Sequence, residues 1–462
     1  MGPSAWIDRV QSLSECLEIA QSVCDMIYRQ DQEYLDKAFH LSLQLMYEYL
    51  VRAVTLIGEK EVLQGFDIPP VRFTGLLGSD RLVSNRMKQV DSWCVPDVHM
   101  LQELSSTIEL VFASSLSPPG PNRPHTGCTK HKCLAHQVKN GTYVTRHVAP
   151  DCACEFVYAS QDSLYTLLCG DSPSIPLIAP SNPGRHSDGR LYVSLLQPGR
   201  LSSQPPYVAI SHVWSDGLWN VDSNAIPLCQ FNRIMDLTSR LNENSSIAFW
   251  LDTLCFPLAP QDAYDQALIR MRQSYEEASR VLVFDAYLLE YAVSEMSKEE
   301  VAMRIACAPW NRRLWGLQEG VLARALAFQF RDSYVDLTGW TKRRGYTTTS
   351  SSLMFSTAWS RYASLRALET ETPKTMSIVQ AKKALTWRST SEKDDEPLCL
   401  GSLLGIDPES AVKTFIKDDP ARTRLERMKV IWSSIPEHFS STCSGTLRNS
   451  KIQASDGRRH HS

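Results

Sequence analysis

Between residues 207 and 330, short apolar runs alternate with helical stretches, and few folds accommodate that rhythm. Residues 207–212 read as a buried strand and 228–241 as a helix. Residues 247–252 read as a second strand, followed by a helix over 261–278 with Ala267, Leu268, Met271, Tyr275 and Ala278 on one side. Residues 280–285 form a third strand, 299–307 and 310–323 helices, and 326–330 a fourth strand. Strands separated by helices of about 10–15 residues indicate βαβ units. The expected fold is therefore α/β, a mainly parallel sheet flanked by helices and joined by right-handed crossovers.

The rest of the chain lacks this pattern. Residues 1–118 are expected to form a helical region with a scaffold or interaction role. Val10, Leu13, Leu17, Ala20, Val23 and Cys24 share one stripe there, and Leu35, Phe39, Leu43, Met46, Leu50, Val54 and Ile57 share another. Leu101, Leu104, Ile108 and Val111 mark one more helix. A Cys/His-rich module spans 123–170. The Ser-, Pro- and Gly-rich stretch 171–206 reads as a linker or ordered loop with a short strand near 191–195. After the α/β unit at 207–337, a helical extension is expected over 338–438, with a loop at 341–358 and helices at 359–368 and 411–432. A polar tail covers 439–462.

In an open parallel sheet, ligands gather at the carboxyl ends of the strands. The first strand runs into Ser211, His212, Trp214 and Asp216, the second into Asp252 and Cys255, and the third into Asp285. Glu319 lies about half a turn off the stripe of Trp310, Leu314, Leu317 and Val321, one turn after Trp315. It is expected to face solvent or a cleft with an indole beside it. The indoles serve either core packing or stacking on a flat ligand, and Asp252 and Asp285 also suit loop or cap roles. Cys255 with His212 forms a conceivable thiol–imidazole pair, although Cys255 follows a buried strand.

Thirteen cysteines in 462 residues fall far below the ~8–10% of disulfide scaffolds. Several cluster with histidines: His125, Cys128, Cys133, His147, Cys152 and Cys154. Ligands paired on tight loops suit tetrahedral zinc. The expected structural site is Cys128, Cys133, His147 and Cys152, with Cys154 or His125 as substitutes. Packed free thiols and redox chemistry are the alternatives. Only Glu155 stands near enough in sequence to serve a metal-bound water, which argues against a catalytic zinc. Cys16, Cys24, Cys94, Cys229 and Cys307 are scattered and read as small core residues.

Forty-eight basic against 51 acidic residues give a formal charge of −3, with no basic excess for a nucleic-acid binder. No run reaches the ~18 apolar residues of a membrane span, and the first residues lack a leader pattern. A soluble cytoplasmic protein is expected. P-loop, GxGxxG, HExxH and GxSxG motifs do not occur.

Three blocks carry a resemblance. Tyr207-Val-Ala-Ile-Ser-His-Val-Trp-Ser-Asp-Gly217, Phe249-Trp-Leu-Asp-Thr-Leu-Cys255 and Trp310-Asn-Arg-Arg-Leu-Trp-Gly-Leu-Gln-Glu319 resemble the three signature blocks of the fungal heterokaryon-incompatibility (HET) domain. Together they span just over a quarter of the chain. Residues 387–400 resemble a stretch that follows the domain in many members. The sequence departs from the family at Gly316, where Thr is common, and at residues 258–262, where Asn-Gln is common. The resemblance implies a role in non-self recognition and regulated cell death, with self-association and an unidentified protein trigger as partners. It also implies a Toll/interleukin-1 receptor (TIR)-like, flavodoxin-like fold. Some TIR domains hydrolyse NAD with a Glu that follows a Trp on a helix, and this carry-over nominates Glu319 as catalytic. Ser211, His212, Trp214, Asp216, Asp252 and Trp315 are the substrate-binding candidates. Many TIR domains are adaptors only, so a non-enzymatic signalling module remains the alternative.

Overall fold

The computed structural model describes residues 41–50, 79–89, 92–120, 123–138, 143–196, 205–242, 246–337 and 376–446, with Gly141 and a few positions between 8 and 22. The expected loop at 341–358, the helix at 359–368, residues 197–204 and the end of the tail lie outside the described residues. So does most of the apolar stripe assigned to residues 8–58, apart from Leu17, Leu43, Met46 and Leu50.

Three helices follow one another after residue 78: α1 (Ser79–Gln89), α2 (Val95–Leu104) and α3 (Thr107–Ser114). The single helix expected through Leu101 and Val111 is broken between α2 and α3. Ser106 caps α3, and Glu109 reaches back to the Ser106 N–H in a capping box. This pairing satisfies the orphan donors of a new helix start, so it favours a break over continuation.

A small mixed sheet follows, built from β1 (Phe156–Tyr158), β2 (Gly184–Arg185), β3 (Leu191–Tyr192) and β5 (Ala225–Pro227) in the order β2-β3-β1-β5. Helix α4 (Gln161–Cys169) lies between β1 and β2. The stretch expected as a linker or ordered loop thus carries the short strand expected near 191–195, as β3, and a second strand, β2. Its Ile178 also exchanges backbone hydrogen bonds with Phe249, at 2.9 and 3.1 Å. That contact covers the exposed edge of the main sheet, which would otherwise present unpaired backbone groups.

The main sheet has the order β6-β4-β7-β8-β9, with β4 (Tyr207–His212), β6 (Ala248–Leu251), β7 (Arg280–Phe284), β8 (Leu326–Gln329) and β9 (Tyr334–Asp336). The first four strands in that order are parallel and β9 is antiparallel. The chain is thus α/β, with mixed sheets and flanking helices. Every residue of β4, β6 and β8 is buried, as expected where helices cover both faces of a parallel sheet. Helix α5 (Leu228–Leu241) joins β5 to β6, and α6 (Gln261–Glu276) joins β6 to β7. After β6 the chain crosses β4 to form β7 on its other side, so the topology reverses beside the carboxyl end of β4.

Beyond β7 come α7 (Lys298–Cys307) and α8 (Leu314–Leu322). The helix expected over 310–323 begins instead as a 3-10 turn, Pro309–Arg312, and is interrupted by Arg313 in extended conformation. Its stripe accounts for only part of the packing. Leu314, Trp315, Leu317 and Val321 form a second core with Leu398, Cys399, Leu403 and Ile431. These last residues come from α10 (Glu396–Leu404) and α11 (Pro420–Thr446), with α9 (Ile378–Leu385) preceding them. Among the described residues, no helix is long and apolar enough to cross a membrane.

Candidate functional site

The site begins with Trp310. Its indole is buried and edge-on to Phe328 of β8, with ring centroids 5.3 Å apart. Gly316 and Gly320 of α8 leave room for it, since a Cβ at Gly316 would stand 2.8 Å from the Trp310 carbonyl oxygen and one at Gly320 would stand 3.0 Å from the ring. The Trp310 backbone N–H donates to Asp285 at 2.8 Å, and its Nε1–H donates to Ser211 Oγ at 2.6 Å. Ser211 in turn donates to Glu319 Oε2. Trp310 therefore donates both to Asp285 after β7 and to Ser211 in β4, and the second line of donors continues through Ser211 to the carboxylate of Glu319 on α8.

Arg313 completes the setting. Because its backbone is extended, its guanidinium turns toward β4. There it donates to the His212 carbonyl and lies 3.7 Å from Glu319 Oε2 and 6.0 Å from the Trp214 ring. His212 Nε2 is 2.7 Å from Asp252 Oδ1, and Trp214 Nε1 donates to Asp252 Oδ2 at 2.7 Å. Burial pushes the Asp252 carboxyl up. The charge and hydrogen bond of His212, the Trp214 N–H and Arg313 outweigh it and hold the group at about 2.

These residues border a cavity of about 240 Å³. Trp214, Trp219, Trp250, Tyr275 and Trp315 supply aromatic walls, and Asp252, Glu319, Glu392, Asp394 and Asp395 supply carboxyl groups beside one cation, Arg313. Trp214 stacks on Trp219 with centroids 4.7 Å apart and planes within 8°. Trp315 Nε1 donates to Asp395 at 3.1 Å. Burial still pushes the Asp395 carboxyl up to about 7. Burial, followed by the Glu319 charge, drives the Tyr275 phenol well above its ordinary range.

The nominated residues therefore divide. Glu319, Trp214, Asp252 and Trp315 line the cavity. Glu319 is only 4% exposed, because α8 is covered on both sides by packed elements. Ser211 and His212 stand behind the wall and act on it through Glu319, Asp252 and Arg313. Asp216 does not belong to the cavity. One of its oxygens pairs with Arg123 at 2.5 Å and the other accepts from the Ala286 N–H at 2.8 Å, so its acceptors are spent fastening loops. Asp285 caps the turn at Tyr287 and holds Trp310. Cys255 is buried, which pushes its thiol up to about 12 and leaves no reactive thiolate. Sequence reasoning missed Arg313, Trp219, Tyr275 and Asp395. A signal existed for Asp395 in the block at 387–400, but none placed that block at the cavity.

The Cys/His residues form two groups. Cys94, His125, Cys128 and Cys133 make one, and His147, Cys152, Cys154 and Cys229 the other, with the ligand atoms of each within 4.8 Å of one another. Either group could hold a metal ion. The expected set of Cys128, Cys133, His147 and Cys152 is thereby corrected. Cys128 and Cys133 face the start of α2, where Cys94 is the N-cap residue, whereas His147, Cys152 and Cys154 face Cys229 in the first turn of α5. Cys94 and Cys229 are thus ligand candidates and not ordinary core residues. Compared with models of protein families, with curated proteins and with solved structures, the chain matches none.

Proposed function

We propose that this chain is a HET-type effector of fungal non-self recognition, acting in the cytoplasm and triggering regulated cell death by cleaving NAD in a TIR-like, flavodoxin-like domain. The strand order supports the fold reading. Counting from β4, the parallel strands run second, first, third, fourth, the order of a doubly wound sheet whose ligands sit at the reversal beside the first strand.

The observation that carries the proposal is the position of Glu319. Its carboxylate lies at that reversal, on the wall of an aromatic cavity, fixed by Ser211 and Arg313. Breaking the nicotinamide–ribose bond leaves the electron pair on the departing ring nitrogen and positive charge on the ribose, to which water then adds. A carboxylate beside that carbon stabilises the cationic state. Glu319 on the wall beside Trp315 also favours a positively charged ring against that indole. In the same reading, the metal of the Cys/His groups is zinc in a structural role, because thiolates and imidazole match its preferences.

The test is release of nicotinamide from NAD by the purified full chain, with and without forced oligomerisation, beside Glu319→Gln. Release by the wild type and loss of at least about 100-fold in the variant, the scale on which a single stabilising group acts, supports the enzyme. Equal release by both, or none under either condition, overturns it in favour of a module that signals by self-association.

A further inference from the structure

We propose that the two Cys/His groups are two independent, closed zinc sites, and that each uses a cysteine far away in sequence to staple the module to a different helix. Cys94 closes the first onto α2, and Cys229 closes the second onto α5. The inference rests on the zinc reading above but not on the chemistry of the cavity.

Four edges of the first group have the lengths of a tetrahedron around an ion. Zinc–sulfur bonds of about 2.3 Å and zinc–nitrogen bonds of about 2.0–2.1 Å require sulfur–sulfur edges near 3.8 Å and sulfur–nitrogen edges near 3.5 Å. Cys94 and Cys128 lie 3.7 and 3.9 Å from Cys133, sulfur to sulfur, and His125 Nδ1 lies 3.8 and 3.7 Å from Cys128 and Cys133. Disulfide partners would stand at about 2.05 Å. In the second group, His147 Nδ1 lies 3.3 Å from Cys154 Sγ and 3.6 Å from Cys229 Sγ. Three thiolates and one imidazole fill four positions in each group, leaving no opening for a substrate.

Backbone donors support both groups independently. The Leu134 N–H points at Cys128 Sγ from 3.2 Å, and the N–H groups of Cys229 and Val148 point at Cys154 Sγ and Cys229 Sγ from 3.3 Å each. Such N–H groups stabilise anionic sulfur and orient it toward a metal. Turns also seat the ligands: the Cys128 N–H bonds the His125 carbonyl and the Cys152 N–H bonds the Ala149 carbonyl.

The first staple also reaches the cavity. Just past Cys133, Gln137 Nε2 donates to Ser389 Oγ at 3.0 Å and the Val138 N–H donates to Ser391 Oγ at 3.1 Å. Residues 389–391 lead directly into Glu392, Asp394 and Asp395 on the cavity wall. Zinc at the first site therefore fixes a rim of the pocket from outside it.

Metal analysis of the full chain purified without added metal tests this. Two zinc ions per wild-type chain are expected, with one in Cys94→Ser, one in Cys229→Ser and none in the double variant. One ion or none in the wild type, or two retained by both single variants, overturns the proposal. Two ions of another metal would overturn the zinc reading alone and leave the two-site arrangement standing. If a variant does not fold, alkylation of the wild type decides. Cys152, Cys154 and Cys229 are partly exposed, so they should resist alkylation until a chelator is added. Immediate modification of these three in metal-loaded protein overturns the second site. Hydrogen exchange at Val138 reads the first, and protection there that chelation leaves unchanged overturns its hold on the rim.

Discussion

Replacing Ser211 by alanine removes one oxygen from the centre of the site and leaves its volume nearly unchanged, so hydrogen bonding dominates the result. Two partners lose their bond. Trp310, 2% exposed, keeps an indole N–H with no acceptor, and Glu319, 4% exposed, loses its hydroxyl donor and retains the Tyr275 phenol and Arg313, the latter at 3.7 Å. A bond to a charged group contributes about 1.5–3 kcal/mol, and a buried donor left without a partner costs about 1–3 kcal/mol. Ser211→Ala should therefore cost about 2.5–6 kcal/mol, which is large beside a typical stability of about 5–15 kcal/mol. Urea unfolding followed by tryptophan fluorescence measures it as a lower midpoint at unchanged slope. Combining the variant with Glu319→Gln in a double-mutant cycle should give a coupling of about 1–3 kcal/mol, since the two groups touch. A loss below ~0.5 kcal/mol together with no coupling would show that the donor chain from Trp310 to Glu319 does not operate, and the site as drawn would fall with it.

The other predictions concern the walls around that centre. Asp395 binds its proton more tightly folded than unfolded, since burial lifts it to about 7 from an ordinary ~3.9. Its favourable contribution is complete below about pH 4 and is lost as pH rises to about 7. Asp395→Asn keeps an acceptor for Trp315 and cannot ionise, so unfolding at pH 5 and pH 8 should show the variant gaining about 2–3 kcal/mol on the wild type; an equal difference at both pH values contradicts the assignment. At Gly316, alanine improves helix propensity by about 1 kcal/mol, but its Cβ meets the Trp310 carbonyl oxygen at 2.8 Å. Overpacking against backbone that cannot rotate aside costs about 1–3 kcal/mol, so a melting temperature above that of the wild type would show the fit to be looser than described. Arg123→Ala should release the Asp216 loop and raise protease sensitivity near residue 216 while leaving the Cys/His metal content unchanged, and an unaltered digestion pattern argues against that anchoring role.

The parallel sheet was legible because β4, β6, β7 and β8 are short apolar runs separated by amphipathic helices, a pattern set by local periodicity. The ends of those runs marked Asp252, and the offset of Glu319 from the stripe of its helix marked a residue facing a cleft beside an indole, although its burial was not legible. What stayed hidden depends on contacts between distant segments. Nothing local distinguishes Cys94 or Cys229 from a small core residue until α2 and α5 bring them to the loops at 125–133 and 147–154. The strands β2 and β3 are two residues each in a Ser/Gly/Pro-rich stretch. The short strand expected near 191–195 is β3, but β2 stayed hidden because its pairing comes from β3, which in turn rests on β1, and not from propensity.

The same dependence explains why the cavity has its particular walls. A parallel sheet whose strand order reverses supplies a floor at that reversal and leaves the roof to whatever follows. Here α8 does both jobs, because one part of it seats Trp310 against the sheet and another carries Trp315 toward α10. Glu319 is consequently held by β4 on one side while Asp395, from the segment leading into α10, closes the other. The polar groups of the site cannot be moved separately: a shift of α8 that relieved Trp310 would displace Glu319 from Ser211 and Trp315 from Asp395 together. The segment 389–395 is tied in the same way from two sides, because Ser389 exchanges backbone hydrogen bonds with Arg312 and Leu314 at the start of α8 while Gln137 and the Val138 N–H donate to Ser389 and Ser391.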